Sequence, residues 1–205
     1  MMPPTPPRPI ILASTSRYRA QLLERLKIAF TVIAPDTNET ALDGESGRDT
    51  ALRLACLKAH DCCDRVKNQL QFHEGLVIGA DQTADLNGVL MGKPGTRANA
   101  RAQLQSMRGQ TVIFHTAVAL LDMATGRCQS GVVPTTVTLR HYTDAQIEYY
   151  LDHENALDCA GSAKAEGLGV ALIAAMTSDD PTALIGLPLI ALTSMLANEG
   201  VEVLS

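Results

Sequence analysis

The sequence predicts an α/β or α+β domain built on a mixed sheet, and three observations support it. Short apolar runs of strand length alternate with amphipathic stretches of helical period. Both β-α-β and hairpin connections are signalled, the hairpin by Asn87-Gly88 between two strand-like segments. The 205 residues are 46% hydrophobic and 19% charged, enough to bury a core and too apolar for disorder. Aromatic residues are scarce and Trp is absent, so packing must rest on Leu, Ile, Val, Ala and Met.

The elements follow in order. Residues 1–9, MMPPTPPRP, read as a proline-rich flexible tail, because proline lacks the N–H a helix needs. Residues 10–205 then form a single domain. Residues 9–13 are a buried strand. A Ser14-Thr15-Ser16 turn leads into a helix with Tyr18, Leu22, Leu23 and Leu26 on one face, capped by Ser14 or Ser16. Residues 30–34 form a second strand and 35–39 a loop. Residues 49–66 read as a helix with Leu52, Cys56 and Ala59 inward. Residues 76–80 are another buried strand, ending at Asp81. Residues 92–95 are a loop before a helix over 96–107. Residues 111–121 and 132–139 alternate as an antiparallel pair. Asp144–His153 is helical, 167–174 a strand and 187–198 a closing helix.

Bulk properties exclude some roles. A net charge of −5 does not suit a generic nucleic-acid or membrane-surface binder, so an anionic ligand needs a local cluster of Lys and Arg. The tail lacks the apolar segment of a signal peptide, and no run approaches the ~18 apolar residues that span a bilayer. Cys56, Cys62, Cys63, Cys128 and Cys159 are odd in number and contain no C-x-x-C, so reduced thiols in a cytoplasmic protein are expected.

Four groups could carry chemistry. Ser14-Thr15-Ser16 enters a helix whose free N–H groups suit phosphate, with Arg19 one turn in. Asp81, beside Gln82, could be a general base or a metal ligand. Gly92-Lys93-Pro94 offers a fixed loop with a point charge, and is not a Walker motif. The run from Cys159 to Gly167 is a small-residue wall bearing Lys164 and Glu166. Each has a plainer reading: a capped helix with solvated arginines, a turn-forming Asp, a solvated Lys, and a surface Lys164–Glu166 pair.

Their joint order is more specific. ILASTS with Arg19 following, P-D-x-x-E, L-x-x-A-x-x-K-A, IGADQ, GKP, CAGS-x-K-x-EG and IGLPLIAL resemble the Maf family of nucleoside-triphosphate pyrophosphatases, from about residue 10 to 200. The Asp-Gln pair, CAGS-x-K-x-EG and Tyr18 resemble the subfamily acting on 7-methyl-GTP. The other main subfamily, acting on dTTP and UTP, usually has Arg and Gln where this chain has Tyr18 and Glu166.

The resemblance implies a long mixed twisted sheet flanked by helices, with two lobes, a deep nucleotide-binding cleft and frequent pairing as a homodimer. It implies hydrolysis to a monophosphate and pyrophosphate, with a divalent cation, Mg2+ or Mn2+, as cofactor. It makes Asp81 the proton acceptor and Glu39 with Asp81 the metal ligands. Ser14, Arg19, Lys58 and Lys93 become phosphate-binding residues, and Tyr18, Gln82 and Glu166 set base preference. The chain departs from the family pattern at Arg17 for proline, Asn38 for aspartate, Ala117 for glycine, and Ala163 and Ala165 for Phe and Ser. The last two enlarge the base pocket. A dTTP/UTP pyrophosphatase and a non-catalytic nucleotide-binding regulator linked to septum formation stand as alternatives.

Overall fold

A computed structural model describes residues 8–70 and 73–204. Its centre is a seven-stranded mixed sheet of order β2-β1-β3-β5-β6-β7, with β4 paired only to β3. The strands are β1 (Ile10–Ala13), β2 (Thr31–Ile33), β3 (Leu76–Leu86), β4 (Val89–Met91), β5 (Thr111–Asp122), β6 (Cys128–Leu139) and β7 (Ile173–Ser178). The helices are α1 (Arg17–Glu24), α2 (Gly47–Leu70), α3 (Arg97–Met107), α4 (Asp144–His153) and α5 (Leu189–Asn198). The expected class, a mixed sheet flanked by helices, is what forms. Among the described residues, no helix is long and apolar enough to cross a membrane.

Successive strand residues face opposite sides of a sheet, and in β1 both sides are covered. Ile10 and Leu12 pack with Leu22 and Leu23 of α1 and Leu192 and Leu196 of α5. Ile11 and Ala13 turn the other way, against Ala51, Ala55, Ala59 and Cys62 of α2. A third cluster gathers α3, α4 and the far ends of β5 and β6, with Leu104, Met107, Phe114, Ile147 and Tyr150. Two lobes result, one sandwiched by α1, α5 and α2, the other built on α3 and α4.

The strand lengths leave a gap between the lobes. β1 pairs in parallel with β3 only as far as Ala13 opposite Gly79. β4 takes up the same strand again from Ala84. On its other side β3 pairs with β5 without a break from Leu76 to Asp85. Residues 80–83 thus have a strand neighbour on one side only, and the cleft opens there.

Several expectations need correction. The strand expected over 76–80 does not end at Asp81 but continues to Leu86, because β5 supplies partners along its whole length. Of the residues expected inward on α2, Ala59 is buried as expected, but Leu52 and Cys56 are not the centre of that face. Ala51, Leu54, Ala55, Lys58 and Ala59 are buried, and Leu52 and Cys56 only partly so. Small side chains win that face because α2 lies almost on β3: a Cβ added at Gly79 would sit 2.0 Å from the Ala55 carbonyl oxygen. The strand expected over 167–174 is a 3-10 turn, Leu168–Leu172, followed by β7. Gly169 packs onto the backbone of Lys164, 2.5 Å from where a Cβ would be, and this holds the chain coiled.

Residues 1–7 of the expected tail lie outside the described residues. Arg8 and Pro9 are docked. Arg8 pairs with Asp122 at 2.8 Å and Glu199 at 3.4 Å, and the Pro9 carbonyl accepts from Leu76 N–H at 2.9 Å.

Candidate active site

The cleft encloses about 470 Å³, and every expected site residue except Asp81 lines it. An adjoining hollow of about 360 Å³ shares Arg19, Glu39, Lys58, Gln82 and Lys93 with it and reaches Asp81. One continuous site therefore contains all nine. Asp81 was expected at the end of its strand, with Gln82 just beyond it. Asp81 and Gln82 instead lie inside β3, and the mouth they occupy is that of the shorter β1.

At the end of the cleft expected to hold phosphate, β1 stops at Ala13 and Ser14 follows, buried. The Ser14 hydroxyl accepts from Ser16 N–H at 3.1 Å and from an Arg19 guanidinium nitrogen at 3.5 Å. Ser16, rather than Ser14, is the N-cap of α1. Arg19 donates through Nε to the Gly186 carbonyl at 2.9 Å, which fixes its direction. Burial lowers the Arg19 pKa from its ordinary value, and the charges of Asp81 and Glu39 partly offset this.

Lys58 projects from the buried face of α2, and the close approach at Gly79 brings it to β3. Its Nζ lies 2.6 Å from Asp81 Oδ1 and 2.6 Å from Glu39 Oε1. Glu39 sits on a loop that α2 ties down. Asp61 accepts from Asp36 N–H at 2.8 Å, and Arg65 and Arg53 donate to the carbonyls of Ala34 and Thr40. Partial burial pushes the Glu39 carboxyl upward, but Lys58, Lys93 and Arg19 together hold it below its ordinary value. Lys93 is exposed and makes no ion pair with a described residue.

These residues suit a divalent cation of one kind. Two carboxylates converge on one point, where the Lys58 ammonium stands as a cation between them. No group of three or more His, Cys, Asp or Glu that could hold a metal gathers anywhere among the described residues, this cleft included. A pair of hard oxygen donors matches an ion that keeps its waters and binds substrate oxygens, as magnesium does, and not a closed zinc cage.

At the other end the residues are more exposed. Gln82 donates through Nε2 to Thr116 Oγ1 at 2.8 Å and to the Ala183 and Leu184 carbonyls at 3.1 and 3.0 Å. Backbone carbonyls only accept, so the amide orientation is settled and its oxygen is the atom left over. Glu166 is exposed and does not pair with Lys164, against the plainer reading. Lys164 instead pairs with Glu154 at 2.6 Å, and Glu154 also accepts from Leu168 N–H at 2.9 Å. Tyr150 closes the same loop, donating to the Ser162 carbonyl at 3.1 Å and accepting from Lys164 N–H at 3.2 Å. Tyr18 lines the cleft rather than joining Leu22 and Leu23 in the core, with Lys164 Nζ 5.5 Å from its ring centre. Among the residues that changed, Asn38 turns its own loop by accepting from Thr40 N–H at 2.9 Å, and Ala163 lines the cleft.

Thr116, Glu154, Tyr150 and Gly186 are positioning residues that sequence reasoning did not single out. Only Gly186 had a visible signal, the IGLPLIAL string that contains it.

A family model described as Maf-like protein matches residues 9–199. The chain belongs to the Maf family. Two relatives carry the name 7-methyl-GTP pyrophosphatase. One, from Thiobacillus denitrificans, is 53% identical over 196 residues, covering 96% of this chain and 94% of that protein. The other, from Cupriavidus pinatubonensis, is 53% identical over 199 residues, covering 97% of each. Among solved structures, the Ham1 protein of Staphylococcus aureus aligns with a TM-score of 0.45 and 14% identity over 65% of this chain and 73% of that one, a likeness too slight to bear on function.

Proposed function

We propose that this Maf protein hydrolyses a nucleoside triphosphate, 7-methyl-GTP in preference to others, to the monophosphate and pyrophosphate. The observation that carries the reading is the Lys58 ammonium, 2.6 Å from both Asp81 and Glu39, at the floor of a cleft whose far end bears Tyr18, Gln82 and Glu166. The names of the relatives point to the same activity.

Asp81 accepts from Lys58 through Oδ1, which leaves Oδ2 for a water. In the reaction Asp81 takes a proton from that water as its oxygen bonds to the α-phosphorus. The bond from phosphorus to the α-β bridging oxygen breaks, and its electron pair leaves on pyrophosphate. Arg19, Lys58 and Lys93 offset the charge that grows on the leaving phosphates, and Ser14 with the first turn of α1 offers further donors. Glu39 and Asp81 would hold the divalent cation, Mg2+ or Mn2+, which supplies charge neutralisation on the phosphate oxygens. No covalent intermediate is required.

The base end favours guanine. The edge of guanine presents donors at N1 and N2, and the leftover oxygen of Gln82 and the carboxylate of Glu166 can only accept. Uracil or thymine would turn carbonyl oxygens toward one of these acceptors. Tyr18 offers a ring face to a 7-methylguanine, whose ring is cationic while its N1 proton remains.

The reading extends to a homodimer in the cytoplasm, acting on a free nucleotide and on neither nucleic acid nor membrane. Five free cysteines and a net charge of −5 support that setting. The test is a screen of normal and modified nucleoside triphosphates, measuring pyrophosphate release with magnesium, with manganese and with chelator. Metal-dependent pyrophosphate release, fastest with 7-methyl-GTP, is expected. Orthophosphate as the first product, or dTTP and UTP as the best substrates, would overturn the reading.

A further inference from the structure

Tyr18 does not present a bare ring. Arg17, exposed at the first position of α1, places its guanidinium carbon 4.8 Å from the centre of that ring. The same guanidinium donates to the Tyr18 hydroxyl at 2.8 Å. Consecutive helix residues project in different directions, so Arg17 reaches Tyr18 only by folding back across it. Both residues line the cleft, with Asp158 and Glu166 nearby in the same wall. The other cation at this ring, Lys164, has its charge matched by Glu154 at 2.6 Å. Arg17 forms no close ion pair with a described residue, and the Asp158 carboxylate acts on it only from beyond ion-pair distance, so its charge is less closely matched than that of Lys164.

We propose that Arg17 is a specificity-determining residue of the base pocket, whose guanidinium covers Tyr18 and disfavours a cationic base relative to a neutral one. The proposal rests on reading this end of the cleft as the base site of a nucleotide pyrophosphatase. Any base that stacks on Tyr18 at that face displaces the guanidinium or lies beside it. Guanine, being neutral, meets only the loss of that contact. A 7-methylguanine that keeps its N1 proton carries a positive charge and also meets like-charge repulsion. Arginine cannot relieve this by losing a proton. Asp158 offers the displaced guanidinium a carboxylate in the same wall. The pocket thus combines two opposed preferences: Glu166 draws the cationic base in, and Arg17 narrows its margin over GTP.

The experiment compares kcat/KM for 7-methyl-GTP and GTP in the wild type, Arg17→Gln and Arg17→Lys, at low and high salt. It adds calorimetric binding of 7-methyl-GMP and GMP to each protein. Arg17→Gln removes the charge at similar length and should raise the 7-methyl-GTP to GTP ratio by about 3-fold or more at low salt, mainly through KM. Added salt should shrink the difference, since the side chain is exposed. Arg17→Lys keeps the charge and should stay within about twofold of the wild type. An active wild type with an unchanged ratio in Arg17→Gln overturns this proposal alone. A shift in Arg17→Lys as large as in Arg17→Gln also overturns it, since shape rather than charge would then be the cause. A wild type that hydrolyses neither nucleotide overturns the pyrophosphatase reading, and this proposal with it.

Discussion

The two ends of the cleft are built differently. At the phosphate end, Ser14, Lys58 and Asp81 are buried, and each is set by an element of the sheet core: the end of β1, the small face of α2, the middle of β3. At the base end, Glu166 is exposed and Tyr18 and Lys164 half-buried. They are set by the first turn of α1 and by a loop of short 3-10 turns held by Glu154 and Tyr150. Bond-breaking needs charges fixed in place before substrate arrives, and burial with mutual pairing provides that. Choosing a base needs a surface that later substitutions can retune without moving the core, and a loop provides that. Substitutions at the two ends should therefore differ in kind.

The largest effect is expected from Asp81→Asn. The change is nearly isosteric, and the fold should persist. kcat should fall by about 10²-fold or more, the range for losing a general base, while nucleotide affinity stays within a few-fold. Stopped-flow kinetics with calorimetric binding would check both halves. A variant turning over near the wild-type rate removes Asp81 from the role of base.

Next come the cations. Lys58→Ala, Arg19→Ala and Lys93→Ala should each lower kcat/KM by more than about tenfold, or about 1.4 kcal/mol of transition-state stabilisation. Stability should separate them. Lys58→Ala leaves the buried Asp81 without the ammonium it pairs with and should lower Tm clearly, whereas Lys93→Ala, at an exposed residue with no ion pair among the described residues, should leave Tm unchanged. Equal Tm values for these two variants would blur the contrast between buried and exposed charge.

The smallest change in rate, and the largest in ranking, is expected from Tyr18→Arg with Glu166→Gln. The pair should erode the preference for 7-methyl-GTP toward dTTP and UTP, with kcat for the best substrate falling less than about tenfold. An unchanged order of kcat/KM over 7-methyl-GTP, GTP, dTTP and UTP would mean that Tyr18 and Glu166 do not select the base.

The same division governs what the sequence made legible. β1 and β3 announced themselves as short continuous apolar runs and β5 by its alternation, and the Asn87-Gly88 turn appears as expected, with positive φ at both residues (53° and 86°). Asp81 looked like the end of a strand because strand length is set by a partner, and β5 lies far along the chain. On α2 the inward face was placed correctly at Ala59 but one residue late at Leu52 and Cys56, with Ala51 and Ala55 passed over. The alanines matter there only because Gly79 lets the helix come close. At the base end, Glu154, Tyr150 and Thr116 act through partners distant in sequence or through single backbone atoms, and no spacing encodes such contacts. Arg17 stood out in sequence only as a departure from the family pattern. Its place over Tyr18 depends on a side chain folding back along the helix, which no sequence pattern encodes.

The central claim is that water attacks the α-phosphorus and pyrophosphate leaves, and isotope position tests it most directly. Hydrolysis of 7-methyl-GTP in oxygen-18 water under single-turnover conditions should put one label in the monophosphate and none in pyrophosphate, as read by mass spectrometry. Label found in pyrophosphate or in orthophosphate would place the attack at another phosphorus and contradict the account.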